Sequence, residues 1–271
     1  MPSPAKLLIL RSMKIVTWNV NSINTRLEHV KRYLRESGPD VLMLQELKTE
    51  NFPAQDFENL AYHSRAVGQK AYNGVAILSK HDINVIAQRL PGEDSDEQAR
   101  YIEVEINNLR LINIYAPNGN PVPGEKYDYK LRWMKRLTQR LRDYVANDQS
   151  FVIGGDFNII PEEKDCRDPK AWKDDALFLP DSRKALRTLE NLGLYDAFRI
   201  FDTRARQFTF WDYQAGAWQK DNGIRIDHFL LSPALTDRME SCVINRDPRG
   251  WEKPSDHTPV ELTLQTDGKK P

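Results

Sequence analysis

A carboxylate and a carboxamide two residues apart, in Gly154-Gly155-Asp156-Phe157-Asn158, form the sharpest chemical signal in the chain. In an extended segment such residues point the same way, and paired glycines let the backbone approach a ligand closely. A simple Gly-Asp turn would leave Asn158 unexplained. Ser255-Asp256-His257 sets a second acid beside an imidazole, the side chain that titrates nearest neutral pH. Asp227, in the segment Ile224-Arg225-Ile226-Asp227-His228, is available to orient His257, the carboxylate–imidazole arrangement of base catalysis. His29, His63, His81 and His228 read as structural. Glu46 follows Val41-Leu42-Met43-Leu44-Gln45, so its carboxylate should emerge from the core at a sheet edge as an oxygen ligand for a hard cation. Mg²⁺ suits such a site, because it keeps several waters and takes one or two carboxylates plus substrate phosphate. The sequence has no HExxH and no Cys/His cluster, which argues against zinc.

These residues need strands to carry them. Extended, β-branched or aromatic segments are expected over 14–20, 40–44, 74–79, 101–106, 109–115, 151–154, 224–231, 241–245 and 260–264. Asn19, Glu46, Tyr115 and Asp156 each stand at the end of one, and polar groups along one sheet edge converge where open sheets place their sites. Ile23, Leu27, Val30 and Leu34 carry a helical period that Gly38-Pro39 stops. A long helix is expected over 127–146, with Leu131, Met134, Leu137 and Leu141 on one stripe, and another over 182–191, ended by Gly193. Adjacent strands outnumber helices and no linker divides the chain, which predicts a single mixed α/β layered domain.

The 271 residues include 39 basic and 39 acidic side chains, which excludes a polycationic nucleic-acid wrapper but not a basic face beside an acidic pocket. Hydrophobic residues make up 40% and charged residues 29%, values of a soluble globular protein. A chain this long buries roughly three quarters of its unfolded surface without disulfide or structural metal. Cys166 and Cys242 are too few for a disulfide framework and read as reduced thiols. No apolar run approaches the roughly 18 residues of a membrane span. Residues 1–12 hold only a short apolar run, at 7–10, less than a signal segment needs, and are expected to be a disordered extension. The domain is expected over 13–265 with a tail at 266–271, in the cytoplasm.

Five motifs stand in the order of the exonuclease III family: Thr17-Trp18-Asn19-Val20-Asn21, Leu44-Gln45-Glu46-Leu47-Lys48, Gly155-Asp156-Phe157-Asn158, Arg225-Ile226-Asp227 and Ser255-Asp256-His257. Gly74-Val75-Ala76-Ile77-Leu78-Ser79-Lys80 and Tyr115-Ala116-Pro117-Asn118 lie between them. The chain thus resembles, over roughly residues 13–264, the bacterial apurinic/apyrimidinic endonucleases of the endonuclease/exonuclease/phosphatase superfamily. The resemblance implies a four-layered α/β sandwich, with two mixed β-sheets packed face to face and helices on the flanks. It implies cleavage of a phosphodiester by in-line attack of water, leaving a 3′-hydroxyl. It also implies Glu46 as the principal Mg²⁺ ligand, with Asn21 and Asp256 near the metal and Mn²⁺ as a substitute. Lys48 would neutralise part of the acidic cluster. Asp156 would orient or deprotonate the attacking water, Asn158 would hold that water or a phosphate oxygen, and His257, paired with Asp227, would contact the phosphate or act as the base. Both groups meet the same phosphate, so the motifs leave the base as either one. Asn19 and Tyr115 would be phosphate-side donors.

The same resemblance implies double-stranded DNA with abasic sites or 3′ ends as the partner, bound by a monomer. Lys70, Tyr72, Asn73, Arg100 and Asn118 fall where the family touches DNA. Phe210, in Phe208-Thr209-Phe210-Trp211, and Ile226 fall where a small apolar pocket receives a baseless sugar, with Trp211 beside them. Ile224 stands where some animal relatives carry tryptophan, a departure that bears on pocket shape. Lys126, Lys130, Arg132, Lys135, Arg136, Arg140 and Arg142 read first as a solvated helix face. Competing classes are a superfamily phosphodiesterase for inositol phosphates or sphingomyelin, a secreted DNase I-like nuclease, and a catalytically inactive DNA-binding module. The last would have lost Glu46, Asp156 or His257, and all three are present.

Overall fold

The computed structural model describes residues 11–266. Its first half runs β1 (Arg11–Asn19), α1 (Ile23–Ser37), β2 (Val41–Gln45), α2 (Ala54–Glu58), β3 (His63–Val67), β4 (Val75–Ser79), β5 (Asn84–Ala87), β6 (Tyr101–Ile106) and β7 (Leu109–Tyr115). There follow α3 (Glu125–Ala146), β8 (Phe151–Asp156), α4 (Pro169–Trp172), α5 (Pro180–Glu190), β9 (Tyr195–Asp196) and α6 (Ala197–Phe201). The chain closes with β10 (Asp227–Leu231), α7 (Pro233–Thr236), β11 (Met239–Ile244) and β12 (Val260–Thr266).

Two six-stranded sheets result, in the orders β11-β12-β1-β2-β4-β3 and β5-β6-β7-β8-β10-β9. The period-2 alternation of the central strands explains why four layers form. Ile15, Val41, Met43 and Ile77 of one sheet pack against Val104, Leu111, Val152 and Phe229 of the other. Their neighbours Val16, Trp18, Leu42 and Leu44 face the opposite way, onto Val30, Tyr33 and Leu34 of α1. On the second sheet Ile112, Ile114 and Ile153 face Trp133, Met134 and Leu137 of α3 and Leu186 of α5. Strands apolar on both faces demand cover on both, and the expected α/β/β/α sandwich follows.

The central strands lie within a residue or two of where periodicity put them, apart from β1, which starts three residues earlier, and β10. The segment 224–226 makes only isolated bridges, Ile224 to Cys166 and to Phe210, so the regular strand begins at Asp227. Sequence reading missed β3, β5 and β9, of which all three lie at sheet edges, where one flank needs no apolar partner and polar residues intrude. The strand β1 begins at Arg11, which pairs with Thr266, so it reaches two residues into the expected extension. Residues 1–10 and 267–271, and with them most of the expected extension and tail, lie outside the described residues. Among the described residues no helix is long and apolar enough to cross a membrane.

Candidate active site

Parallel pairing brings the strand ends together. The strands β1 and β2 run in register to Asn19 opposite Gln45, and β7 and β8 to Tyr115 opposite Asp156. The antiparallel β10 starts at the same edge, with Asp227 opposite Asp156. The sharp turns that follow use left-handed backbone at Asn21, Glu46, Lys48 and Asn158, conformations that need support from their surroundings.

That support is a continuous hydrogen-bonded floor. Asn19 Nδ2 donates to Glu46 Oε1 at 2.9 Å and to Asp156 Oδ2 at 3.0 Å, tying one sheet to the other. Asp156 Oδ1 accepts from the Asn158 backbone N–H at 2.8 Å, and Asn158 Oδ1 accepts from Asn118 Nδ2 at 3.2 Å. His257 Nδ1 lies 2.9 Å from Asp227 Oδ2, leaving Nε2 facing Asp156 Oδ2 at 3.8 Å. Ser255 Oγ donates to the Asn19 carbonyl at 2.7 Å and so holds the Asp256-His257 segment against β1. Asn21 Nδ2 reaches Asp256 Oδ1 at 3.0 Å, while Lys48 Nζ bridges Glu46 Oε2 at 2.9 Å and Asn21 Oδ1 at 2.5 Å.

Burial and charge divide the titrating groups. Burial, reinforced by Asp227 and Glu46, pushes Asp156 up to about 7 against the pull of His257. Burial opposes the imidazolium of His257, yet Asp227 and Asp156 outweigh it and raise that group to about 10. Glu46 is desolvated too, but Lys48 and the Asn19 amide hold its carboxyl below the ordinary range. Burial beside Glu46 and Asp156 keeps the Tyr115 hydroxyl protonated, well above its usual value. The result is an ionised carboxylate, an acid poised near neutrality, a charged imidazole and a neutral phenol around one space.

Ligand atoms of Glu46, Asp156 and His257 lie within 4.8 Å of one another. The Lys48 bridge shows that Glu46 Oε2 and Asn21 Oδ1 already converge on a positive charge. This is mainly an oxygen set, and the imidazole's Nδ1 is already committed to Asp227, which fits a hard cation better than zinc.

Of the residues expected on the substrate side, Arg100 stacks on the Tyr115 ring, 4.9 Å from its centroid, and donates to the Tyr115 carbonyl at 3.2 Å. Lys70 and Tyr72 stand exposed on the β3–β4 turn, Tyr72 at 70%. Phe210 packs edge-on to His257 at 4.9 Å and joins Ile226, Ile224, Phe178 and Trp172 in one apolar cluster. Two further residues expected on the substrate side, Asn73 and Trp211, are buried. The Asn73 side chain is buried and donates to Gln69 at 2.7 Å, while its carbonyl accepts from the Lys48 N–H, so it shapes the loop from within. The Trp211 ring is fully buried against Phe208 and Trp218, with Nε1 donating to Asp221 at 3.1 Å, and offers no face to a ligand.

The basic run 126–142 also divides. Arg136 binds Asp96 at 2.7 Å and Arg140 binds Glu103 at 3.0 Å, while Lys130 is fully buried. The buried stripe of α3 includes Lys130, Trp133, Met134, Leu137 and Leu141, so Lys130 occupies a core position that the expected stripe assigned to Leu131. Its spacing from Met134 and Leu137 was the available signal. Tyr213 and Arg26 were missed without such a signal: Tyr213 OH accepts from Arg26 at 2.8 Å and donates to the Pro254 carbonyl at 2.9 Å, beside Asn21 and Asp256.

Clustered carboxylates, a carboxylate-paired imidazole and a protonated tyrosine at the junction of two stacked sheets define a metal-dependent phosphodiester hydrolase. Residues 16–257 match the Endonuclease/Exonuclease/phosphatase family, and the chain belongs to it. Exodeoxyribonuclease III of Haemophilus influenzae is 35% identical over 92% of this chain and 98% of that protein. The Neisseria 3′ phosphatase NExo, solved with a product DNA hairpin, superimposes with a TM-score of 0.91 at 37% identity, covering 94% of this chain and all (100%) of that one. An AP endonuclease from Archaeoglobus fulgidus gives a TM-score of 0.90 at 38% identity over 94% of this chain and 100% of its own.

Proposed function

We propose that this protein is a DNA-repair phosphodiesterase that incises duplex DNA 5′ to abasic sites and removes nucleotides or blocking groups from 3′ ends. The observation that carries the reading is the meeting of Glu46, Asp156 and the Asp227-paired His257 beside the apolar wall of Phe210 and Ile226.

Glu46, with Asn21 and Asp256, would hold Mg²⁺, for which Mn²⁺ substitutes. Bound there, the ion would supply positive charge to offset the charge that develops on the phosphate during cleavage. Asp156, raised to about 7, is matched to accept the proton of the attacking water near neutral pH. Asn158 and Asn19 hold that carboxylate in place through their hydrogen bonds. His257 enters as the imidazolium: with Nδ1 fixed on Asp227, its Nε2–H is free to donate to a phosphate oxygen. This division makes Asp156 the base and His257 the phosphate contact. Tyr115 adds a neutral O–H donor where negative charge develops, and such donors are worth about 3 kcal/mol each in comparable sites. The apolar cluster of Phe210 and Ile226 would receive a sugar that has lost its base, because extrusion is cheapest where stacking is already gone. Arg100, Lys70 and Tyr72 line the approach for the DNA backbone. The enzyme so proposed works as a monomer in the cytoplasm.

An end-labelled duplex with one tetrahydrofuran abasic-site analogue tests this directly. A single metal-dependent incision 5′ to the analogue, lost in excess EDTA, is the expected result, with shortening of a recessed 3′ end alongside. Folded protein that cuts neither substrate, with Mg²⁺ present, refutes the reading.

A further inference from the structure

Lys130 lies in the buried stripe of α3, in the layer that covers the outer face of the second sheet. Its Nζ donates to the Asn118 backbone carbonyl at 3.0 Å and to the Asn158 backbone carbonyl at 2.6 Å, and burial pushes the amine's pKa down to about 7. We propose that Lys130 is a positioning residue, which sets the Asn118 and Asn158 carboxamides and, through them, the Asp156 carboxylate against the scissile phosphate. The inference rests on the activity proposed above.

Three features support a built clamp rather than a chance burial. Among the described residues Lys130 Nζ bonds only backbone carbonyls, with Asp156 and Asp175 acting on it at longer range, so a position that needed only filling would be served better by an apolar side chain. Space for the stem is made by Gly119, whose φ is +95° and where a Cβ would stand 2.8 Å from Lys130 Cδ and 3.1 Å from the Ala176 Cβ. The clamped Asn158 has φ +49°, a conformation that a fixed carbonyl direction stabilises from outside. The two carbonyls belong to the turns after β7 and β8, which otherwise meet through Asn118 Nδ2 to Asn158 Oδ1 and Asn158 Nδ2 to the Ala116 carbonyl. Asn158 in turn grips both Asp156 oxygens, by its backbone N–H at 2.8 Å and by Nδ2 at 3.3 Å. Releasing Nζ therefore loosens the groups around the attacking water, while Glu46, Lys48 and the exposed Lys70 and Tyr72 make no contact with it.

The test is single-turnover incision of the tetrahydrofuran duplex by Lys130→Met, with duplex affinity measured by fluorescence anisotropy and folding by thermal melting. Misplacement by a fraction of an ångström predicts a rate lowered roughly 10- to 100-fold, with affinity and KM within about threefold of wild type. Lys130→Arg, which keeps an N–H donor at this position, should recover part of the rate. A Lys130→Met rate within about twofold of wild type, or affinity falling in step with the rate, overturns the proposal. If Lys130→Met does not fold, Lys130→Gln is judged by the same two readouts, and failure of both to fold makes Lys130 structural and overturns it too. Wild-type protein that leaves the duplex uncut refutes the activity itself, an outcome separate from any of these.

Discussion

Acidification should unfold this protein partly through one buried histidine beneath the site. His228 follows Asp227 on β10, opposite Gly155, with no access to solvent. Its Nδ1 lies 3.0 Å from Arg225 Nη1 and its Nε2 lies 3.1 Å from the Ile159 carbonyl. A guanidinium can only donate and a carbonyl can only accept, so the ring is the neutral Nε2–H tautomer. Burial and then the Arg225 charge push its pKa down to about 4. An unfolded chain titrates near 6.5, so between these values the unfolded state binds the proton that the native state refuses. The stabilisation is complete above about 6.5 and is lost as pH falls towards about 4, for a total of about 3 kcal/mol. Roughly 2 kcal/mol of it should be gone on moving from about pH 7.5 to pH 5. Urea unfolding of wild type and His228→Gln at both pH values isolates this effect, since other titrating groups cancel in the subtraction. The glutamine variant is less stable at neutral pH but should lose about 2 kcal/mol less than wild type on acidification. Equal losses in the two proteins would refute a neutral buried His228.

Asp156→Asn keeps the shape of the floor and removes the base, so incision should fall by at least about 100-fold while duplex affinity, read by anisotropy, survives. Loss of both in parallel would make Asp156 a structural acid. Glu46→Gln should raise the Mg²⁺ concentration needed for half-maximal rate by about tenfold or more, and a metal titration that superimposes on wild type removes Glu46 from the ligand set. Trp211→Phe should cost about 1–3 kcal/mol in urea unfolding, from the lost Asp221 bond and packing, with KM for duplex unchanged. A raised KM without loss of stability would restore Trp211 as a ligand contact.

Much of this site can be read from local sequence because strand ends announce themselves. An apolar run that stops at a single acid or amide, as at Asn19, Glu46 and Asp156, places that group at the rim of the core whatever the tertiary arrangement. The motif order and the strong central strands define the family and the layered class, and the double-faced apolar pattern of β1, β2 and β8 already demands cover on both sides. What the chain does not display locally is which edge meets which. Asn19 and Asp156 stand 137 positions apart and join two sheets, and His257 finds Asp227 only because β10 and the turn before β12 reach the same corner. The fate of charged and aromatic side chains is likewise tertiary. Lys130 and Arg132 share one basic run, yet one anchors two carbonyls inside the core and the other faces water. Trp211 and Phe210 are neighbours, but the backbone turns one ring into a packing cluster and the other onto His257. Composition and periodicity register how much of a side chain the core can accept. Its partner, and therefore its chemistry, depends on segments remote in sequence that only packing brings within hydrogen-bond range.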